Sequence, residues 1–241
     1  MTCYFRNNRR LFFTVLVVLF YLALLCGAIF WTVEYTRGNV DAGTFRHRAL
    51  YALLCAALLA LILVLPRVFR FSCPLFLQTA LLCFVFLALG GGTVFAFYQL
   101  IPHFDKILHT LSGPLFTAVG LSLAFPLVKE RTGRTRAWYA VLFAILFSLS
   151  VGYVWEIYEF TVDTLFQSNL QGWSQGLLNA MPDGTYLHTT ARGTALLDTL
   201  YDMILNLLGT LAFSLPMFFL FCKKPNALDA FAFSRKQKRD E

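Results

Sequence analysis

The sequence predicts an all-α polytopic membrane protein, a bundle of six transmembrane helices with both termini in the cytoplasm. Three observations lead there. Hydrophobic residues make up 58% of the 241-residue chain and charged residues only 14%, against about 25% charged in an ordinary soluble domain. Mean hydropathy is +0.65. The apolar residues also gather into six runs, each near the roughly 20 residues a helix needs to cross the hydrocarbon core. So little chain lies between the runs that no sizeable soluble domain fits. This composition excludes intrinsic disorder, and it excludes nucleic-acid binding as a main function. The net charge of +7 is read as topology and contact with anionic lipid.

The first run, Leu11 to Val33, follows Arg6, Arg9 and Arg10 of a ten-residue N-terminus (1–10). It continues unbroken through Ala28, Ile29, Phe30 and Trp31 without a small-residue cleavage pattern, so it reads as a retained helix and not a signal peptide. Leucine immediately before Cys26 argues against a lipoprotein signal. The second run, Ala49 to Leu65, is the shortest. The third, Leu75 to Tyr98, carries Gly90, Gly91 and Gly92, and the fourth, Ile107 to Val128, carries Ser112-Gly113-Pro114. Such glycines read first as close-packing positions, and secondarily as breaks that permit an unwound, cavity-lining segment. The fifth run is Ala137 to Phe160 and the sixth Leu196 to Cys222. Between them lies the one long connection, 161–195, where Trp173, Leu177, Leu178 and Met181 suggest a segment resting at the interface. A basic tail, 223–241, ends the chain.

Six spans put both termini on one side, so Lys and Arg divide into two sets. Arg6, Arg9, Arg10, Arg67, Arg70, Lys129, Arg131, Arg134, Arg136 and six tail residues total 15; Arg37, Arg46, Arg48, Lys106 and Arg192 total 5. The positive-inside rule then predicts a multi-pass protein of the bacterial cytoplasmic (inner) membrane, N-in and C-in. No cysteine falls in an outer loop, so no disulfide framework is expected.

With this orientation the polar residues collect at one depth. Asp105 and His109 open the fourth helix at its outer end, Glu156, Glu159 and Asp163 close the fifth, and Asp198, Asp202 and Asn206 open the sixth. Residues three or four apart share a helix face, and Asp105/His109, Glu156/Glu159, Glu159/Asp163, Asp198/Asp202 and Asp202/Asn206 all have that spacing. Taken singly, Asp198 reads as an N-cap, and Glu156 with Glu159 as the exit of a helix. Taken together, carboxylates at this depth must face the bundle interior or a wet cavity. Gly152, one turn below Glu156, leaves space beneath it. His47, His103 and His188 read as solvated loop residues; only His109 is in register with an acid.

Six carboxylates (Asp105, Glu156, Glu159, Asp163, Asp198, Asp202) face two cations, Lys106 and Arg192. The deficit of 4 calls for a divalent cation, for shared protons or for a cationic ligand. Carboxylates with one imidazole suit Mg²⁺, Mn²⁺ or Zn²⁺. The predicted metal set is Asp105, His109, Glu156, Glu159, Asp198 and Asp202, supported by Lys106, Asp163 and Asn206. In a catalytic version His109 or Glu159 acts as general base, and Arg192 holds a phosphate oxygen.

Three ordered motifs, Phe104-Asp105-Lys106-Ile107-Leu108-His109, Trp155-Glu156-Ile157-Tyr158-Glu159-Phe160 with Asp163, and Asp198-Thr199-x-x-Asp202-x-x-x-Asn206-x-x-Gly209, resemble the YjdF-type family of bacterial inner-membrane proteins of unknown function. The same skeleton is similar to the VanZ-like family, with Arg192 in the arginine's place. That resemblance implies an envelope setting and a link to lipoglycopeptide resistance. It departs at Glu159, where the VanZ-like pattern has glutamine.

Three functions follow as expectations. The first is an enzyme or binding protein for an envelope lipid headgroup, with membrane lipids as its partners. The second is an ion- or proton-coupled transporter, which the apolar inner halves of the helices disfavour. The third is a non-catalytic envelope protein. No nucleotide-binding loop or Gly-x-Ser-x-Gly elbow is present.

Overall fold

The computed structural model describes residues 2–166, 169–171 and 191–235. Trp173, Leu177, Leu178, Met181, His188, Lys236, Lys238 and Arg239, singled out above, lie outside the described residues, as does the side chain of Arg192. Among the described residues six helices are long and apolar enough to cross a membrane. The chain divides into two compact units, residues 1–105 with 233–241, and residues 106–232.

In the first unit α1 (Thr2–Thr36) and α2 (Ala42–Val68) form a hairpin. Gly38, at φ +76, lets the chain turn with no Cβ penalty. Asp41 then caps α2, accepting hydrogen bonds from the Gly43 and Thr44 amides at 2.7 and 3.0 Å and from the Thr44 hydroxyl at 2.6 Å. These bonds, the hydroxyl's first, hold its carboxyl below the ordinary range. Helix α3 (Leu75–Val85) continues as a π-helix over Phe86–Val94. It stops at Val94, short of the expected Tyr98, because Ala96 turns left-handed (φ 61) into the short α4 (Phe97–Leu100).

The glycine run makes that reversal possible. A Cβ on Gly91 would stand 2.9 Å from the Phe97 ring, and one on Gly92 would meet Tyr98 still more closely. Polar side chains tie the helices together inside the apolar core of Leu24, Cys55, Leu59 and Leu82. Tyr21 donates to the Ala56 carbonyl at 3.0 Å, Trp31 to that of Val94 at 2.8 Å and Gln78 to that of Ile62 at 3.0 Å. A two-residue antiparallel ladder joins β1 (Phe71–Ser72) to β2 (Ser234–Arg235).

The second unit is built on α5 (Phe104–Ala124), α6 (Gly133–Phe166) and α7 (Ala191–Lys223). Helices α6 and α7 run past the apolar limits read from sequence, to Phe166 and back to Ala191. Helical geometry outlasts hydrophobicity at that end.

Backbone contact sets the helix spacing. A Cβ on Gly113 would lie 2.5 Å from the Asn206 carbonyl oxygen and 2.7 Å from the Gly209 carbonyl carbon, both in α7. A Cβ on Gly209 would collide with the Thr110 carbonyl. Pro114 leaves that carbonyl without its intrahelical donor, and Gly209 offers it a Cα–H at close range. On α5 a Cβ at Gly120 would sit 2.7 Å from Ala144 Cα of α6. Close approach through small residues is how helices pack without a hydrophobic driving force. At the other end Arg136 donates to Asp229 at 3.0 Å, and Phe221, Leu228 and Phe231 are buried.

Candidate functional site

Asp105, Glu156, Glu159, Asp163, Asp198 and Asp202 lie at the same end of the three helices: the start of α5, the end of α6 and the start of α7. Lys106 on α5 reaches α7, where Nζ stands 2.5 Å from Asp198 Oδ1 and 2.6 Å from Asp202 Oδ2. One turn deeper, His109 sits between two acids carried by different helices. Its Nδ1 is 3.7 Å from Glu156 Oε1 on α6, and its Nε2 is 3.9 Å from Asp202 Oδ1 on α7. His109 is 6% exposed, Glu156 5% and Asp202 0%. Three helices thus bring an imidazole and two carboxylates together away from bulk solvent, where charges interact more strongly than in water.

Asp105, one turn before His109 on α5, adds a third acid to that neighbourhood. Asp105, His109 and Asp202 each offer a ligand atom, and these atoms lie within 4.8 Å of one another. Lys106 occupies Asp202 Oδ2, so the oxygen turned toward His109 is Oδ1.

A polar ladder continues below. Asn206 donates to Ser112 Oγ at 2.8 Å, and Ser112 to the His109 carbonyl at 2.7 Å. Ser148 on α6 lies 3.0 Å from the Gly113 carbonyl oxygen and 2.8 Å from Thr210 Oγ1, and Ser148, Thr210 and Ser214 are fully buried. The inner part of this unit is therefore less apolar than the sequence reading holds. Ser112, Ser148, Thr210 and Ser214 are absent from the sequence-derived set. The signal was spacing: Asp202, Asn206, Thr210 and Ser214 recur every four residues, as do Ser148, Gly152 and Glu156. Gly152 does not leave its space empty, since a Cβ there would lie 2.9 Å from Asn206 Oδ1.

Two expected members are engaged locally. Glu159 accepts a hydrogen bond from Trp155 Nε1 at 2.8 Å on its own helix. Asp163 accepts from the backbone amides of Leu170 and Gln171 at 2.8 and 2.9 Å, which ties down the chain after α6. His47 and His103 are exposed.

A cavity of about 320 Å³ opens onto this cluster. Its polar lining is His109, Glu156, Asp202 and Asn206, and its apolar lining includes Tyr153, Ile204 and Leu207.

A family model for predicted membrane proteins, DUF2238, matches residues 13–223. The chain belongs to that family. The match takes in most of the first long apolar helix, the other five and every residue of the cluster, and the YjdF-type resemblance is consistent with it. No curated protein matches the chain, and no solved structure does.

Proposed function

We propose that this DUF2238 protein holds a divalent cation on His109 and Asp202, with Asp105 as third ligand, and through it binds the phosphate-bearing headgroup of an envelope lipid. The observation that carries the proposal is the placement of His109 between Glu156 and Asp202. Metal-bound histidines characteristically direct their second ring nitrogen at a carboxylate. Glu156 facing Nδ1 would orient the ring, leaving Nε2 and Asp202 Oδ1 for the ion. One nitrogen and carboxylate oxygens suit Mn²⁺ or Zn²⁺, and Mg²⁺ when water completes the shell.

A bound cation would supply Lewis-acid attraction for a phosphoryl oxygen, and Arg192 is proposed as a second anchor for it. Glu159, held by Trp155, serves better as support than as general base, so the proposal is for binding and not turnover. The cluster is proposed to face outward from a bacterial inner membrane, both termini being cytoplasmic. On intact cells, a cysteine at Asn39 should then react with an impermeant thiol reagent and one at Thr132 should not.

The test is metal content in protein purified with native lipids. Wild type should carry a near-stoichiometric divalent ion, His109→Ala should lose it, and Glu156→Gln should bind about 10–100-fold more weakly. Wild type free of divalent ions, after exposure to Mn²⁺ and Zn²⁺, would end the cation proposal.

The buried ladder Asp202, Asn206, Thr210 and Ser214 favours one second reading, a proton-coupled transporter. In proteoliposomes with an imposed pH gradient, that reading requires proton flux abolished by Asp202→Asn. A VanZ-like role in antibiotic susceptibility rests on the ordered motifs alone.

A further inference from the structure

The cavity beside His109 has two unlike parts. Its floor is polar and buried: His109, Glu156, Asp202 and Asn206 are all at most 6% exposed. Its rim is apolar and turned outward: Tyr153 is 55% exposed, Leu200 45%, Met203 40% and Ile204 49%. An opening to water would be ringed by polar side chains. This one lies between α6 and α7 and is ringed by the side chains that membrane helices present to lipid.

Depth agrees. The apolar run carried by α7 begins at Leu196, so the rim residues Leu200 to Leu207 lie about 6–17 Å along the helix from that point. Polar headgroups occupy only about 5–8 Å on each side of a hydrocarbon core about 30 Å thick. The mouth therefore opens at the level of acyl chains. Its volume of about 320 Å³ is room for about ten water-sized groups, enough for a phosphate-bearing head with the first carbons of a chain.

From this we infer that the cavity is a lateral portal: an anionic lipid enters from within the bilayer between α6 and α7. Its phosphate is directed at the His109 and Asp202 floor, and its chain lies along Tyr153, Ile204 and Leu207. The inference rests on the cation proposal, because a phosphate meets net acidic side chains on that floor and needs the ion between them. It adds the route and the source. The ligand is a lipid taken from the membrane, and not a soluble phosphate of the same head chemistry.

The experiment uses the full chain in nanodiscs containing phosphatidylglycerol and loaded with Mn²⁺. Bound lipid is read by native mass spectrometry, and Mn²⁺ by its paramagnetic resonance signal. Rim variants Ile204→Trp and Met203→Trp should retain lipid about tenfold less well, a loss near 1.4 kcal/mol, while binding Mn²⁺ as wild type does. Leu208→Trp, equally outward but not lining the cavity, should leave both unchanged, which controls for folding. Soluble glycerophosphate should not displace the lipid. Lipid retention unchanged in both rim variants, or displacement by glycerophosphate, with Mn²⁺ binding intact, would overturn the portal alone. Absence of Mn²⁺ binding in wild type would instead remove the cation proposal and the portal with it.

Discussion

Replacing Gly113 by alanine should both destabilise the second unit and open its cluster. The added Cβ would lie 2.5 Å from the Asn206 carbonyl oxygen and closer still to the Thr210 amide nitrogen. Both are backbone atoms of α7, so no side chain can swing aside. Restoring ordinary contact near 3.4 Å requires α5 and α7 to separate by about 1 Å, a large step for helices packed 8–10 Å apart. Overpacking of this kind costs about 1–3 kcal/mol. The 2.8 Å bond from Asn206 to Ser112 bridges the same two helices and would stretch beyond range, adding about 1 kcal/mol. The expected loss is about 2–4 kcal/mol, or about 5–15 °C in Tm for a chain of this size.

His109 and Asp202 would part by the same distance, and metal ligation tolerates only about 0.2 Å, so Mn²⁺ affinity should fall steeply. The assay is thermal unfolding in detergent followed by intrinsic fluorescence, with Mn²⁺ titration on the same samples. Gly133→Ala is the control. Its φ of +56 makes alanine strained, but nothing lies within 4 Å of the added carbon, so it should cost about 1–2 kcal/mol and leave Mn²⁺ binding alone. A Gly113→Ala protein that melts like wild type and binds Mn²⁺ equally well would refute the backbone contact.

Other expected outcomes follow from single contacts. Ser148→Ala removes the hydroxyl between the Gly113 carbonyl, which keeps its bond from Thr117, and Thr210, leaving the buried Thr210 hydroxyl without that partner at about 1 kcal/mol, readable as a lower Tm. Asp41 has its carboxyl held low, so its contribution to the start of α2 is full above the ordinary carboxyl range and lost as pH falls through the lowered value. The protection of the Gly43 and Thr44 amides against hydrogen exchange, relative to the free-chain rate at the same pH, should fall in acid, and in Asp41→Ala it should be low at every pH. Burial pushes the Cys73 thiol up to about 11. Maleimide labelling at Cys73 should therefore be slow at neutral pH and rise only in strong alkali; fast labelling at pH 7 would show the thiol to be open to water.

Much of the architecture was legible because hydrocarbon thickness imposes a length that hydropathy reveals. The six apolar runs each contain a helix, but helix ends were harder to read. Helices α6 and α7 run beyond the apolar stretches because hydrogen bonding along a helix does not stop where lipid stops. Helix α3 ends early because Gly90, Gly91 and Gly92 admit the Phe97 and Tyr98 rings, a tertiary contact with no periodic trace. In the cluster, helical spacing put His109 on the face of Asp105, and ligand atoms of the two lie within 4.8 Å. The same spacing gave Asp163 to the group, although its carboxylate caps the backbone at Leu170 and Gln171. Nothing local tells a carboxylate that will face a cavity from one that will bind amides. Ser148 and Thr210 escaped notice because single hydroxyls on apolar helices satisfy their own backbone so often.

Ser148 also sets a fixed point for the cluster above it. Its hydroxyl bridges α5 and α7 at Gly113 and Thr210, pinning α6 two turns below Glu156. Above that pivot α6 is a lever about 12 Å long, and a tilt of about 5° carries Glu156 through about 1 Å. Any tilt about that pivot would therefore be read first in the 3.7 Å spacing between Glu156 and His109, and last at the Gly113 and Gly209 crossing.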